Sequence, residues 1–469
     1  MRTFIPLQGI KEKKIGNGDR VKLISLIFII ERTKFINHFN CCLMKNYRFY
    51  TKTTFVFLLL MFSGMVLLAS TGLDGIESDT ANYHTYRGKL VDKLNNEPVV
   101  YADITVPGEN TSTVSNSQGD FVIKISHRSR AHAIRVSHLG YKTAEIPLNS
   151  LNHRHNVIRI EPAAVALNQV YVRPGPVEDI LKKVLESIGQ NYPVVANEMT
   201  GFYRESIKKR RSYVSLAEAV VDIYKASYKS LFNDQVRIIK GRKGSNVKRM
   251  DTLLFKLQGG PTMGLLLDII KNPYVLLNRE MIYEYRFSLV NEVKKNGRLY
   301  YVIAFDPIDK ARVPSYSGKY YIDVQSYALA SAEFQLELNQ PDKAASLFIK
   351  KKPFGARVSP LYARYLVKYR QQGDKWYYHY AKGEVAFKIK WKRRLFNSIY
   401  STAFELAITD RSAAKAERIK GSERFKPNEI FAESVEAFSK SDYWGKYNYI
   451  EPNQSIESAI RRFKRLLRK

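Results

Sequence analysis

Zinc hydrolysis is the first chemistry to test in this chain, because histidine and carboxylate spacing would betray it. The metal needs three convergent nitrogen or oxygen ligands, an open fourth position and a base, commonly supplied by His-x-x-Glu plus a distant His. The eight histidines are His38, His84, His127, His132, His138, His153, His155 and His379, and none is followed by Glu three residues on. His153 and His155 can share one face of a strand, yet they have no carboxylate partner, and an exposed turn pair fits them better. His138, beside Gly140 and Tyr141, has the setting of a structural strand end. Glu205, Glu218 and Asp222 are single carboxylates that no spacing pairs as acid and base. The chain has no Gly-x-Ser-x-Gly elbow, no phosphate loop and no paired-cysteine site. No catalytic residue, metal ligand or cofactor is therefore assigned, and the expectation is a protein that is not an enzyme.

What remains is charge. Among 469 residues, 76 Lys and Arg against 44 Asp and Glu give a net +32, which calls for a polyanionic partner or an anionic surface. The densest signal is at the end of the chain. Ser455 can cap a final helix, residues 453–469, in which Ile456, Ile460, Phe463 and Leu467 form an apolar stripe. Arg461, Arg462, Lys464, Arg465, Arg468 and Lys469 crowd the rest of that helix and are the candidate residues for an anionic surface. Its two alternatives are attachment to anionic lipid or lipopolysaccharide phosphates, as a peripheral membrane contact, and docking of the stripe on the protein itself. Lys388 to Arg394, with Trp391 inside it, is a second basic run whose alternation suits a strand, and Gly241-Arg-Lys-Gly244 reads as a turn.

The elements must be exported to meet such a surface. Met44, Lys45, Arg48 and Lys52 precede an uncharged run, Thr53 to Leu68, which ends in Ala69, Ser70, Thr71 and Gly72. This is the build of a signal peptide over residues 44–72, with an uncleaved anchor as the alternative. Residues 1–43 then read as upstream read-through. The only cysteines, Cys41 and Cys42, precede the run, so the exported part has no disulfide framework. Residues 1–71 hold eleven Lys or Arg and three Asp or Glu, which leaves +24 on the remainder. The expected location is the periplasm or the outer membrane surface, and nucleic acid is excluded as a partner.

From Tyr86, short alternating strands separated by turns recur about every ten residues, the pattern of a small seven-stranded β-sandwich. Gly119 is placed in a tight turn that lets Phe121, Ile123 and Ile125 point inward. The ordered motifs Gly88-x-x-x-Asp92, Pro98-Val-x-x-Ala102-x-Ile-x-Val106, Ser115-Asn-x-x-Gly119-x-Phe121 and Ser137-x-x-Gly140-Tyr141 resemble the carboxypeptidase-regulatory-like domain over residues 84–173. That resemblance implies a transthyretin-like sandwich of the Gram-negative envelope. Asn116 stands where the family usually has Asp. Ala166 to Val172 is similar to the strand that leads into a plug and barrel in nutrient receptors, but about 300 residues are too few for a 22-stranded barrel.

Arg173-Pro-Gly-Pro176 breaks the chain before an amphipathic bridging helix at 177–192. Tyr-rich strands then fill residues 198–452, with helical interruptions at Gly264 to Lys271 and Lys343 to Lys350. An antiparallel meander is the economical topology. The fold class expected is mainly β: the sandwich, then a larger antiparallel sheet with a few helices. That sheet is either filled and structural or a curved half-barrel with an apolar concave face, whose strand pattern resembles the periplasmic lipoprotein and lipid carriers. Sandwich, sheet and the ending Asp442 to Pro452 together resemble a functionally undefined group of secreted bacterial proteins. The expected function is binding or assembly in the cell envelope, with an envelope protein, anionic lipid or lipopolysaccharide as partner. Carriage of lipid or lipopolysaccharide is the alternative.

Overall fold

The computed structural model describes residues 82–153, 155–163, 176–246, 259–272, 276–295, 297–310, 314–348, 355–392, 396–412, 416–438 and 443–467. The signal-peptide segment, the Ala166–Val172 strand and most of the Arg173–Pro176 break lie outside them.

Seven strands build the sandwich. Strands β1 (Tyr83–Asp92), β4 (Asp120–Ser126) and β7 (Val157–Ile160) form one sheet in the order β4-β1-β7. The other sheet contains β2 (Asp103–Thr105), β3 (Ser112–Val114), β5 (Ala133–Ser137) and β6 (Ala144–Pro147) in the order β3-β2-β5-β6. Leu90, Ile104, Phe121, Ile123, Ile134 and Val136 fill the space between, all fully buried. Gly119 has φ +79°, and a Cβ there would lie 2.5 Å from the Leu90 carbonyl oxygen, so the turn admits only glycine. The alternate residues of β4 are not wet: Val122 and Lys124 are buried too, because that face is covered by residues 443–451.

Beyond the helix α1 (Val177–Glu186) come eleven strands in a single open sheet. These are β8 (Asn197–Lys209), β9 (Ser212–Lys225), β10 (Gln235–Ser245), β11 (Tyr285–Lys295), β12 (Arg298–Pro307), β13 (Tyr316–Asp323), β14 (Leu329–Leu336), β15 (Ala356–Gln372), β16 (Lys375–Trp391), β17 (Ser398–Ser412) and the short β18 (Glu436–Ala437). Their order is β11-β12-β13-β14-β15-β16-β17-β8-β9-β10-β18. Neighbours are antiparallel except β18, which runs parallel to β10. A simple meander is thus corrected: β17 returns to pair with β8, two hundred residues earlier, and splices two meanders into one sheet. Strand β16 runs unbroken through Gly383, whose missing side chain makes room for the Phe404 ring. Gly241 to Gly244 is not a turn but part of β10; a Cβ at either glycine would collide with Val435 or Phe463.

The two faces of the sheet are both covered. On the inner face, Ile180, Leu181 and Val184 of α1 pack with Tyr192, with Leu265 of α2 (Gly260–Leu266) and with Ile269, Ile270, Leu276 and Leu277 against apolar residues of β8 to β16. A third helix, α3 (Pro341–Phe348), places Ala344 beside Val358 and Ile389. On the outer face, Phe202, Val220, Tyr380 and Ala407 meet Val114 and Val122 of the sandwich and Tyr443, Trp444, Tyr449 and Ile450 of a C-terminal strap. The chain ends in α4 (Gln454–Leu467).

Candidate functional site

Strand register brings together charges that are far apart in sequence. Lys382 lies opposite Glu405, Glu405 opposite Arg204, Arg204 opposite Glu218, and Glu218 opposite Arg242, which in turn pairs with Glu436 on β18. Six strands thus carry one row of alternating sign. Arg204 Nε donates to Glu218 Oε1 at 2.7 Å, and Arg242 reaches Glu218 Oε2 at 2.8 Å. Burial raises the Glu218 carboxyl, but the two guanidiniums overcome it and hold the pKa below its usual value. The strap closes over the row: Arg204 donates to the Ile450 carbonyl at 2.8 Å, and Arg242 lies 4.7 Å from the Trp444 ring centre.

The sandwich is fixed to this face by one carboxylate. Asp103 of β2 receives Lys368 Nζ at 2.5 Å and Lys295 Nζ at 2.7 Å, with His379 Nε2 3.3 Å away. Asp103 is buried, but the two ammoniums hold its carboxyl well below the usual range. Burial pushes His379 and His138 down to about 4, so both are neutral at pH 7. Further bonds seal the seam: Ser112 Oγ to the Ile408 carbonyl at 3.0 Å, Thr113 Oγ1 to the Tyr449 carbonyl at 3.0 Å, and Lys124 N to Asn448 Oδ1 at 2.7 Å. Tyr101 takes φ +55° and stacks on Tyr380 at 5.8 Å, while Lys382 donates to its hydroxyl.

The single carboxylates now have settings. Asp222 pairs with Arg237 at 2.6 Å, a half-exposed bridge. Glu205 has no cation: the Tyr203 hydroxyl donates to it at 3.0 Å, and burial pushes it up to about 8. A carboxyl whose folded pKa exceeds the unfolded value of about 4.3 binds more protons folded, so its stability is full at low pH and is lost as pH rises toward 8. Glu205→Gln is expected to leave stability nearly unchanged near pH 4 and to raise it by several kcal/mol, up to about 5, at pH 8.5, read from urea midpoints. Equal gains at both pH values would reject this origin.

His153 stands at the sandwich rim, its ring 5.3 Å from Tyr86 and 5.8 Å from His84, which lies 4.1 Å from His127. Among the described residues, no group of three or more His, Cys, Asp or Glu side chains is placed to hold a metal ion. A cleft of about 220 Å³ lies between Tyr283, Glu284, Pro307 and Ile308.

The terminal helix is where the sequence places it, with one change of cap. Asn453 Oδ1, not Ser455, accepts the Ile456 amide at 2.9 Å. Ile456, Ala459 and Phe463 are buried against Tyr213, Leu216 and Phe438, so the stripe docks on the protein. Arg461 and Arg465 remain exposed, Arg461 3.5 Å from Glu457; Arg462 donates to the Tyr213 carbonyl, and Lys464 is half-buried. Arg468 and Lys469 lie outside the described residues. Lys388 and Lys390 are exposed on β16, and Lys388 faces Ile399, whose carbonyl accepts the Arg210 amide at 2.8 Å. Register thus brings this second run toward the basic hairpin Lys208 to Arg211, which α4 touches through Tyr213. Among the described residues no helix is long and apolar enough to cross a membrane.

Comparison with known proteins gives limited matches. Among solved structures, similarity is found to an outer membrane lipoprotein-sorting protein domain from Vibrio parahaemolyticus, at 14% identity and TM-score 0.23, covering 52% of this chain and 96% of that one. A LolA superfamily protein from Nitrosomonas europaea matches at 12% identity and TM-score 0.20, covering 54% and 99%. A DUF1329 family protein from Desulfovibrio piger matches at 11% and 0.21, covering 50% and 94%. These scores are too low to support a functional inference. No curated protein matches. The model of the CarboxypepD_reg-like domain matches residues 86–172, and the sandwich of this chain is accordingly a CarboxypepD_reg-like domain.

Proposed function

We propose that the protein is a non-enzymatic component of the bacterial cell envelope, exported by its N-terminal signal, in which a CarboxypepD_reg-like sandwich and a large open sheet act as one rigid body for binding or assembly. The observation that carries this reading is the sealed seam at Asp103. Buried ion pairs contribute little net stability but restrict geometry, so a seam built from Asp103, Lys295 and Lys368 fixes the orientation of the sandwich on the sheet. Carriage of lipid or lipopolysaccharide would require the inner face, which α1, Leu265, Ile269, Ile270, Leu276 and Leu277 fill, to open first.

The surface offered to an anionic partner is the rim formed by the exposed side of α4, the Lys208–Arg211 hairpin and Lys388 with Lys390. Because the stripe of α4 is occupied, attachment there runs through charge, at about 1 kcal/mol per basic residue near an anionic surface. The purified protein is expected to sediment with vesicles containing phosphatidylglycerol and to be released as salt rises to about 0.5 M. Arg461→Ala with Arg465→Ala is expected to weaken this binding about tenfold or more. Salt-independent sedimentation, or none, would remove the surface assignment. A stoichiometric amphiphile in native mass spectra would replace assembly by carriage, and hydrolysis of peptides or glycans abolished by a point variant would replace it by catalysis.

A further inference from the structure

At the seam between the sandwich and the sheet the donors outnumber the acceptors. Arg370 of β15 sits in a small hollow with His379, Gln372 and Arg411. Its Nη1 is shut off from solvent with no hydrogen-bond partner, and its Nη2 reaches the Asn110 carbonyl only at 3.4 Å. His379 Nε2 points to Asp103 Oδ1, 3.3 Å away, and so gives Arg370 no acceptor. Arg411 donates to Gln372 Oε1 at 2.8 Å and lies 3.5 Å from the Tyr377 ring centre, which leaves its charge unpaired. Two carboxylates are near. Asp103 is engaged by Lys295 and Lys368, and Asp410 accepts the Arg411 amide at 2.8 Å. Asp103 and Asp410 both act on Arg370, and Glu333 acts on Lys368, but none of these carboxylates reaches Arg370 Nη1 with a hydrogen bond.

A buried guanidinium without a counter-charge costs several kcal/mol, and a water molecule supplies an acceptor but no charge. Burial already drives Arg370 down to about 10, with Arg411 adding to the shift and Asp103 opposing it. The hollow is about 10 Å³, room for the centre of a single water-sized body, and too small for phosphate or a carboxylate-bearing molecule. We infer that this hollow is a binding site for one halide-sized anion, chloride in a saline surrounding, held by Arg370 and Arg411 and bridging the sandwich loop at Asn110 to strands β15 to β17. Occupancy would tighten the seam by mass action, since only the docked state assembles the site.

The test is thermal unfolding of the purified protein in sodium chloride and in sodium gluconate at matched ionic strength, with chloride-35 NMR line widths as the direct reading of binding. The midpoint is expected to rise saturably with chloride, to rise with bromide as well, and to stay flat in gluconate. The line is expected to broaden on adding protein. Arg370→Gln and, separately, Arg411→Gln should each weaken the chloride effect about tenfold or more, the value of a charge-assisted hydrogen bond. Arg411→Gln keeps the test open if Arg370→Gln fails to fold. Equal midpoints in chloride and gluconate, or a chloride response that both variants retain, would overturn the site.

Discussion

Asp103→Ala is expected to lower the stability of the purified protein by about 3–5 kcal/mol, among the largest effects available to a single substitution here. The loss comes from what remains. Lys368 and Lys295 stay in the seam with their carboxylate gone, and Lys368, which burial already drives down against the pull of Asp103, has nowhere to place its charge. The Tyr101 carbonyl, 2.6 Å from Lys368 Nζ, accepts a hydrogen bond but supplies no counter-charge. Urea unfolding at pH 7 measures the total, and chymotrypsin cleavage after Leu167 or Tyr171 under native conditions measures release of the sandwich, which should speed up in the variant. Asp103→Leu combined with Lys368→Met should recover part of the loss, since apolar replacement of a buried pair is often neutral or better. A loss under about 1 kcal/mol would show that the seam holds without its central carboxylate.

Two histidines add a pH dependence to the same seam. Each is pushed down to about 4 from an unfolded value of about 6.5, so the unfolded chain binds more protons between those limits. Stability therefore falls as pH drops from about 6.5 toward 4, the acid side on which the seam loosens. Asp103 contributes in the same direction, but lower: its folded pKa lies below the unfolded value, so its contribution is lost only as pH falls through the carboxylate range and beyond.

The sandwich was legible because its information is local. Turns at Gly119 and Gly140, the inward alternation of Phe121, Ile123 and Ile125, and the ordered motifs all lie within ninety residues. The hairpin of β13 and β14 and the amphipathic α1 were readable for the same reason. The charge row was not, because it exists only in register. Glu405 and Arg204 are each unremarkable alone and meet only when β17 pairs with β8. The same holds for Asp103, an unassigned position between Ala102 and Ile104 of a strand motif in the sequence and the hub of a seam in the fold. Strongly basic composition pointed outward, to a partner, and part of it does face solvent on α4 and β16. Another part is spent internally: Arg204, Arg242, Lys225 and Lys368 are all buried against carboxylates. Net charge counts both kinds alike, so composition alone could not divide them. Gly241 and Gly244 misled for a related reason. Glycine marks a turn or a close approach equally well, and only Val435 and Phe463 packing against β10 decides between them.

Lys225→Met should cost a similar amount, about 3–5 kcal/mol, but on the opposite face and with a different pH signature. Lys225 is fully buried, 2.5 Å from Asp234 Oδ2 and 2.7 Å from Asp268 Oδ2. The hydroxyls of Tyr228 and Tyr369 each donate to Asp268 at 2.8 Å, and the Lys271 amide donates to it at 3.1 Å. Burial drives the lysine down, but both aspartates overcome it and hold the ammonium above its usual value. Methionine fills the volume and removes the charge, which leaves two carboxylates facing one another in an apolar surrounding. Asp234, already raised by burial with Lys225 opposing, must then rise further. A carboxyl raised in the folded state is stable when protonated and loses that stability as pH climbs, so the variant should be closer to wild type near pH 5 than near pH 7.5. Adding Asp234→Asn and Asp268→Asn should abolish that slope and recover part of the loss. The cluster joins the end of β9 to Asp268, whose neighbours Leu267, Ile269 and Ile270 help α1 to fill the inner face. Its failure should therefore expose apolar surface there before the chain unfolds globally, visible as dye binding by the variant at denaturant concentrations where wild type shows none. Cooperative unfolding without that early exposure would mean that Lys225 stabilises the whole sheet and does not specifically hold the inner face shut.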